Sequence, residues 1–139
     1  MAETIRKVQY YYTTVSNKPG EGARVLGPIR DAGVNLLAFH AFPSAKKSQV
    51  DFVPENAAAF RAAAQQAKIK LSGPKTAFLV EGDDRIGAIF DLLRKLGAAN
   101  VNVTAIDAVR AGAGRYGALI WVKPADVAKA AELLGASSL

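Results

Sequence analysis

The sequence predicts an α+β fold of two βαββαβ units, each with an antiparallel sheet and helices on one face. An internal repeat with an offset of 67 residues places residues 18–39 over residues 85–106 without a gap. Both copies also show the same succession of strand-like and helix-like segments. The length of 139 residues suits two small units. A unit of about 70 residues buries only about 60% of its unfolded surface, so we expect the halves to support each other.

Identical residues support this repeat. The identical pairs are Gly20 and Gly87, Leu26 and Leu93, Val34 and Val101, Asn35 and Asn102, and Ala38 and Ala105. Five identities in 22 positions are a weak signal alone. The shared order of elements therefore carries most of the weight.

The first copy begins with residues 7–16, which are rich in aromatic and β-branched side chains and therefore predict a strand. Turn residues follow at 17–20, and Gly33 ends a helix that should be kinked at Pro28. Residues 34–42 alternate as a second strand.

The turn-like residues 43–47 join this second strand of the first copy to a third at residues 48–53. Pro54 is predicted to open a second helix, where its missing N–H costs nothing. Residues 69–71 offer a short fourth strand before the breaker Ser72-Gly73-Pro74.

The second copy repeats this order from residue 75. Asp83 and Asp84 are predicted to cap its first helix. The apolar stripe of that helix consists of Ile86, Ile89, Phe90, Leu93 and Leu96. The predicted elements that follow are strands at residues 101–109 and 116–122 and a helix opened by Pro124.

Only residues 136–139 then remain for a last strand of the second copy. We therefore expect the second unit to lack that strand, or to retain only a vestige of it. A missing edge strand would leave an open edge where the other unit or another chain can pair. The predicted domains are residues 1–72 and 73–139.

Each half resembles an ACT domain, a small ferredoxin-like regulatory module that binds amino acids and related metabolites. The resemblance lies in Asn17-Lys18-Pro19-Gly20 followed by Gly33-Val34-Asn35, and in Asp84-Arg85-Ile86-Gly87 followed by Asn100-Val101-Asn102. In that family the first strand ends in Asp-Lys/Arg-Pro-Gly and the next strand opens with Gly-Ile-Asn. The first copy departs from this pattern by Asn17, and the second by Ile86 and Asn100.

The resemblance implies ligand binding at the strand-to-helix turns and at a domain or subunit interface. The implied ligand-binding residues are Asn17, Lys18, Gly20, Glu21, Gly22 and Asn35 in the first copy, and Asp84, Arg85, Ile86, Gly87 and Asn102 in the second. A glycine lets backbone amides approach a bound group, and a helix N-terminus favours an anion such as a carboxylate. The alternative is that the glycines serve the backbone geometry and the asparagines cap loop ends.

The copies differ beside this turn. Gly22 and Ala23 stand where the second copy has Ile89 and Phe90, which predicts a pocket in the first copy. The alternative is that Tyr10, Tyr11 or Tyr12 fills the space.

Composition limits the possible chemistry. The chain has no Cys and one His, which excludes thiol catalysis and clusters of histidine ligands, and we expect no metal, no cofactor and no catalysis. His40 lies in an apolar strand and is more typical of a structural residue than of a base. Nothing resembles a membrane span or a signal peptide, so we expect a cytoplasmic protein.

The net charge of +6 raises the alternative of a nucleic-acid-binding module. The excess is concentrated in residues 1–72, with 10 basic against 5 acidic side chains, and the cations are mostly spaced singly. An RNA-recognition module would need aromatic residues on one face of its third strand, whereas Tyr116 and Trp121 fall on opposite faces. The expected function is therefore a non-catalytic sensor that binds a small metabolite, most of all an amino acid, as a homodimer; an RNA-binding module or a small enzyme remains the alternative.

Overall fold

A computed structural model describes residues 3–138 of the chain. The first half contains β1 (Thr4–Ser16), α1 (Glu21–Asp31), β2 (Leu36–Ser44), β3 (Lys47–Pro54) and α2 (Ala57–Gln66). The second half contains β4 (Ser72–Asp83), α3 (Ala88–Ala98), β5 (Val103–Gly112), β6 (Arg115–Val122), a 3₁₀ turn (Pro124–Asp126) and α4 (Val127–Leu134). The predicted α+β class and the repeated order of elements are confirmed. No helix within residues 3–138 is long and apolar enough to cross a membrane.

The chain forms two compact units. The first unit is Gln9–Lys75, and the second consists of the residues up to Val8 together with those from Thr76 onward. The division at 72/73 would give residues 3–8 to the first domain. The structure gives them to the second unit because β1 and β4 are long strands, each of which contributes to both units.

The first unit has the antiparallel strand order β2-β3-β1. Tyr11 pairs with Phe52 across β1 and β3, and both side chains point into a buried core. Phe60 of α2 packs on both rings, with ring centroids 5.5 Å and 5.1 Å away. The core of this unit comprises Tyr11, Val15, Val25, Ile29, Val50, Phe52, Phe60 and Ala63. The alternate residues of β3 face away from the helices.

In the second unit β4, β6 and β5 lie side by side, and Phe78 pairs with Ile120. The core of this unit contains Phe78, Val80, Ala88, Leu92, Leu96, Val101, Tyr116, Ala118, Ile120, Val122, Ala130 and Leu134. On the helices, the buried positions recur at helical spacing, so α3 and α4 cover one face of the strands.

The first residues of β1 supply the strand that the second unit was expected to lack. β1 lies next to β4, and Ile5 packs against the core of the second unit. The chain's last residues keep a vestige of a strand, since Ser137 forms a parallel bridge with Arg6. Two backbone bonds make this bridge, from Ser137 N to Ile5 O and from Lys7 N to Ser137 O, each 3.0 Å long.

Several element predictions were wrong. Residues 69–71 are not a strand, because β4 begins at Ser72 and runs through Gly73-Pro74. Pro54 ends β3 instead of opening a helix, and Asn56 caps α2 by accepting the N–H of Ala59 at 3.0 Å. α1 runs through Pro28 as one helix of 11 residues, and the kink expected there stays a prediction.

Candidate functional site

Both strand-to-helix turns use a glycine in the left-handed region. Gly20 has φ 89° and Gly87 has φ 80°, and each is the residue from which α1 or α3 begins. Residues with a Cβ disfavour this conformation, so the backbone favours glycine at both positions. α1 and α3 each have 11 residues and start at equivalent positions of the repeat. Residue 21 therefore corresponds to residue 88, and residue 24 to residue 91.

The start of α3 presents uncapped backbone donors. The first bond of the helix runs from the N–H of Asp91 to the carbonyl of Gly87, at 3.0 Å. The N–H groups of Ile89 and Phe90 have no preceding helical carbonyl to bind, and no side chain caps the helix. A helix start of this kind attracts an anionic group.

A cavity of about 270 Å³ opens at this helix start, within the second unit. Its walls combine three elements: the turn before α3, the first turn of α3, and the β5–β6 hairpin. The lining residues are Asp84, Arg85, Gly87, Ala88, Ile89, Phe90, Ala108, Val109, Arg110 and Tyr116.

Charged groups of both signs stand at the cavity. Asp84 pairs with Arg110 at 3.1 Å, and Arg85 pairs with Asp91 at 2.9 Å. The backbone N–H of Asp84 donates to the carbonyl of Gly114 at 2.8 Å, which ties the turn to the hairpin. The cavity therefore offers a carboxylate and two guanidinium groups whose present partners are partly exposed side chains that a ligand can replace.

Tyr116 forms a buried wall of the cavity, with 6% of its surface exposed. Its hydroxyl donates a hydrogen bond to the Glu3 carboxylate. Burial of the phenol, together with the bond to Glu3 and its charge, raises the pKa of Tyr116 far above the ordinary value. The hydroxyl is therefore a fixed neutral group and is not a base near neutral pH.

The apolar part of the site is exposed. Phe90 is 64% exposed and Val109 67% exposed, although both line the cavity. The predicted buried stripe of α3 was wrong for Ile86, Phe90 and Leu93, because the helix begins only after Gly87 and its buried face is Ala88, Leu92 and Leu96. Ile86 is fully exposed and does not line the cavity.

The predicted cap was also wrong. Asp83 ends β4 and pairs with Arg115 at 2.7 Å, while Asp84 pairs with Arg110. Neither side chain caps α3, because Gly87 lies between them and the first helical residue.

The structure brings together Asp84, Arg85 and Gly87 of the predicted ligand-binding residues in the second unit. Asn102 is exposed just before β5 and lies outside the cavity lining. Sequence reasoning missed Val109, Arg110 and Tyr116, which the β5–β6 hairpin carries to the turn. No local motif marks these three residues, since only the pairing of the strands places them there.

The equivalent turn of the first unit is arranged differently. Asn17 accepts a hydrogen bond from the Ser48 hydroxyl at 3.2 Å, and Lys18 donates its backbone N–H to Ser16 O at 3.0 Å. The Glu21 carboxylate binds the Arg24 guanidinium through two bonds of 2.8 and 3.0 Å. The amide of Asn35 reaches Glu55 at 3.4 Å.

The space beside Gly22 is not filled by a tyrosine ring. A Cβ built on Gly22 would meet no atom within 4 Å outside its own helix backbone and chain neighbours. Tyr11 packs instead on Phe60, and the Tyr12 ring lies under the Lys75 ammonium at 5.1 Å. Ligand binding at Gly22 stays a prediction.

A further groove of about 410 Å³ lies between α1 and α2 of the first unit. Small side chains dominate its lining, and its one carboxylate, Asp31, pairs with Arg30 at 2.8 Å. Within residues 3–138, no three or more His, Asp or Glu side chains cluster in a way that could hold a metal ion. The cavity at α3 is therefore the better candidate for a small-molecule site.

No family model and no curated protein sequence matches the chain. Several solved structures are similar to the chain. A protein of Bacteroides thetaiotaomicron has a TM-score of 0.78 at 16% identity, covering 96% of this chain and 88% of that one. The regulatory subunit of aspartate kinase from Thermus thermophilus, in its ligand-free form, has a TM-score of 0.63 at 14% identity, covering 97% and 95%.

The corresponding regulatory subunit from Thermus flavus has a TM-score of 0.60 at 15% identity, again covering 97% and 95%. Similarity at this level of identity concerns the fold. The chain therefore has the fold of the ACT-type regulatory domains of aspartate kinase, with two ACT-type units.

Proposed function

We propose that the chain is a non-catalytic regulatory protein that binds a free amino acid in the second-unit cavity. The observation that carries this proposal is the cavity at the start of α3, where unpaired helix donors, a carboxylate and an apolar wall meet. An amino acid presents the three complementary groups: a carboxylate, an ammonium and a side chain.

Each group of the ligand has a partner of suitable chemistry. The N–H groups of Ile89 and Phe90, at the positive end of the helix dipole, would bind the carboxylate. Asp84 would accept the ammonium, in place of part of its contact with Arg110. Phe90 and Val109 would cover the ligand side chain, and their present exposure is an apolar surface that binding would bury.

The lining favours an apolar ligand side chain. Phe90 and Val109 present exposed apolar surface there, which an apolar ligand side chain would bury. Leucine, isoleucine, valine and methionine fit this description best. The cavity volume of about 270 Å³ lies just below the range of about 300–1,000 Å³ that is usual for small-molecule sites, so only a small ligand fits.

A regulatory role fits the fold, which this chain shares with regulatory subunits of aspartate kinase. The first-unit residues Asn17, Lys18, Gly20, Glu21, Gly22 and Asn35 stay a predicted second site, and Ile86 and Asn102 stay predictions in the second. The expected homodimer belongs to the same proposal, and the exposed Ile86 and Phe90 provide apolar surface for it.

The experiment is a thermal-shift screen of the purified chain against the twenty amino acids, followed by calorimetric titration of the hits. A ligand that binds only the folded state raises the melting temperature, by an amount that grows with concentration. We expect one apolar amino acid to stabilise the protein. Sedimentation velocity on the same samples measures the subunit number.

Two variants assign the site. Asp84→Asn keeps the shape of the side chain and removes the charge, and we expect it to weaken binding by about tenfold, as for the loss of one charge-assisted hydrogen bond. Arg61→Gln, on the exposed face of α2 in the first unit, is the matched control and should bind as the unmodified protein does. Stabilisation by no amino acid, together with salt-sensitive binding of a short RNA, would contradict the proposal and favour the nucleic-acid alternative.

A further inference from the structure

We propose that the two units are functionally unequal, because the first unit's turn is already occupied by the carboxylate of Glu21. Glu21 is the first residue of α1, directly after Gly20. The corresponding residue of the second unit is Ala88, at the cavity. Only the part of this proposal that has the second unit bind an amino acid rests on the proposed function.

The Glu21 side chain is held in the turn. Although it is a charged group near the surface, only 13% of the side chain is exposed. The Arg24 guanidinium binds both of its oxygens, which fixes the position of the carboxylate. The hydrogen bond from Arg24, with the charges of Arg24 and Lys18 and the backbone N–H of Ser16, holds the pKa of Glu21 below its ordinary value.

The groups around Glu21 are those that an external carboxylate would use. They are a helix start after a left-handed glycine, a guanidinium on the first turn of that helix, and the backbone at the end of β1. Glu21 therefore stands in the first unit as an internal substitute for a ligand carboxylate. The second unit cannot do the same, because Ala88 has no polar group.

The charge pattern of the two turns agrees with this difference. In the second unit the carboxylate Asp91 takes the position of Arg24 and pairs back to Arg85, the counterpart of Lys18. Because Asp91 is engaged with Arg85 and Ala88 has no polar group, no carboxylate of α3 takes the position that Glu21 has in the first unit. One chain should therefore bind one amino acid, in the second unit, and Glu21 would close the second site that the sequence predicts at the first-unit turn.

The test is an NMR titration of the full chain with sodium acetate at constant ionic strength, since acetate replaces the carboxylate that a substitution removes. In Glu21→Ala we expect saturable shifts of the amide signals of Ser16, Gly20 and Gly22. The unmodified chain should show none of these shifts. Arg24→Gln loses the ion pair but keeps the carboxylate in the turn, so it should not respond either.

Glu21→Ser repeats the measurement if Glu21→Ala folds poorly, and the amide signals of the second unit report folding in each sample. A folded Glu21 variant without acetate-dependent shifts would overturn the proposal. Shifts of Gly20 and Gly22 in the unmodified chain, with acetate or with the twenty amino acids, would overturn it as well. Failure of the proposed function is separate, because it would appear as the absence of amino-acid-dependent shifts at Gly87, Ile89 and Phe90.

Discussion

Asp51 is a buried carboxylate on β3, with 3% of its surface exposed. It faces away from the core side chains of its strand, and its partners in register are Tyr12 on β1 and His40 on β2. The Gln49 amide donates to Asp51 at 2.9 Å. Burial is the largest influence and raises the pKa of Asp51, while the Gln49 bond and the charges of His40 and Lys75 oppose it.

This raised pKa makes the stability of the fold depend on pH. The folded protein keeps the proton of Asp51 to a higher pH than the unfolded chain, whose aspartates titrate near pH 3.9. Below about pH 3.9, Asp51 is protonated in both states and costs no stability. The cost grows as the pH rises toward the folded-state pKa of Asp51 and is complete above that pKa.

Asp51→Asn should therefore stabilise the protein at pH 8 and leave its stability nearly unchanged at pH 3.5. Asn keeps an oxygen for the Gln49 amide but has no charge to bury. We expect a gain of roughly 1 kcal/mol at pH 8, the lower end of the cost of burying an incompletely compensated polar group. Urea unfolding at the two pH values measures it. Glu132→Gln, an exposed carboxylate on α4, is the control, and an equal gain there would mean that net charge and not burial is responsible.

Single residues were the least predictable level. His40 was expected to be structural, and only the strand register shows that it lies opposite Asp51. Arg110, which completes the cavity with Asp84, was missed for the same reason. Both contacts depend on which residues two strands place side by side, and a sequence pattern with period two does not contain that register.

At the scale of elements, two helix glycines show the difference between space and backbone conformation. Gly97 lies inside α3, while Gly33 follows the end of α1 with φ 72°. A Cβ at either position would meet no atom within 4 Å apart from its own helix backbone and chain neighbours. The two positions therefore differ in backbone conformation and not in available space.

Gly97→Ala should stabilise the protein by about 0.5–1 kcal/mol, since alanine loses less backbone entropy in a helix. Gly33→Ala should destabilise it by about 1–2 kcal/mol, the cost of the left-handed conformation for a residue with a Cβ. Thermal unfolding of the two variants and the parent measures both effects. Equal effects of the same sign would show that backbone conformation does not decide the outcome at these positions.

Most elements could be predicted because apolar periodicity and turn residues lie close together in the chain. Within residues 3–138, both hairpins and all four α-helices were anticipated. The errors occurred where a residue type suits two places: Pro54 can start a helix or end a strand, and Asp84 can cap a helix or pair with Arg110. The extended register of β4 through Gly73-Pro74 was hidden because those residues usually break a strand.

At the scale of the whole molecule, the second unit is not a contiguous stretch of sequence. It needs residues from the start of β1: Ile5 packs on its core, and Glu3 accepts the Tyr116 hydroxyl. Thr4 donates to the Glu81 carbonyl at 3.4 Å, and the Arg6 guanidinium lies 3.8 Å from the Glu81 carboxylate. The sequence predicted a missing strand in this unit and an edge open to the other unit or to another chain, but not that the first residues of β1 would fill it.

This arrangement predicts that residues 73–139 will not fold stably alone. The fragment lacks the strand beside β4, so one side of β4 would expose its backbone groups and the core would lose Ile5. We expect poorly dispersed amide NMR signals and no cooperative thermal transition. A rearranged chain serves as the comparison because it contains the missing strand. It consists of residues 3–8, a short Asn-Gly turn and then residues 76–139.

A two-residue turn suits this chain because β1 and β4 are antiparallel neighbours. Residue 4 lies beside residue 81, so residue 8 should lie near residue 76, where the second segment begins. This chain should melt cooperatively and should retain the cavity, because every lining residue and Glu3 are present. It should also keep the amino-acid binding proposed for the second unit. Stable folding of residues 73–139 without the added strand would show that β1 is dispensable and that the repeat boundary is also the boundary of an independent domain.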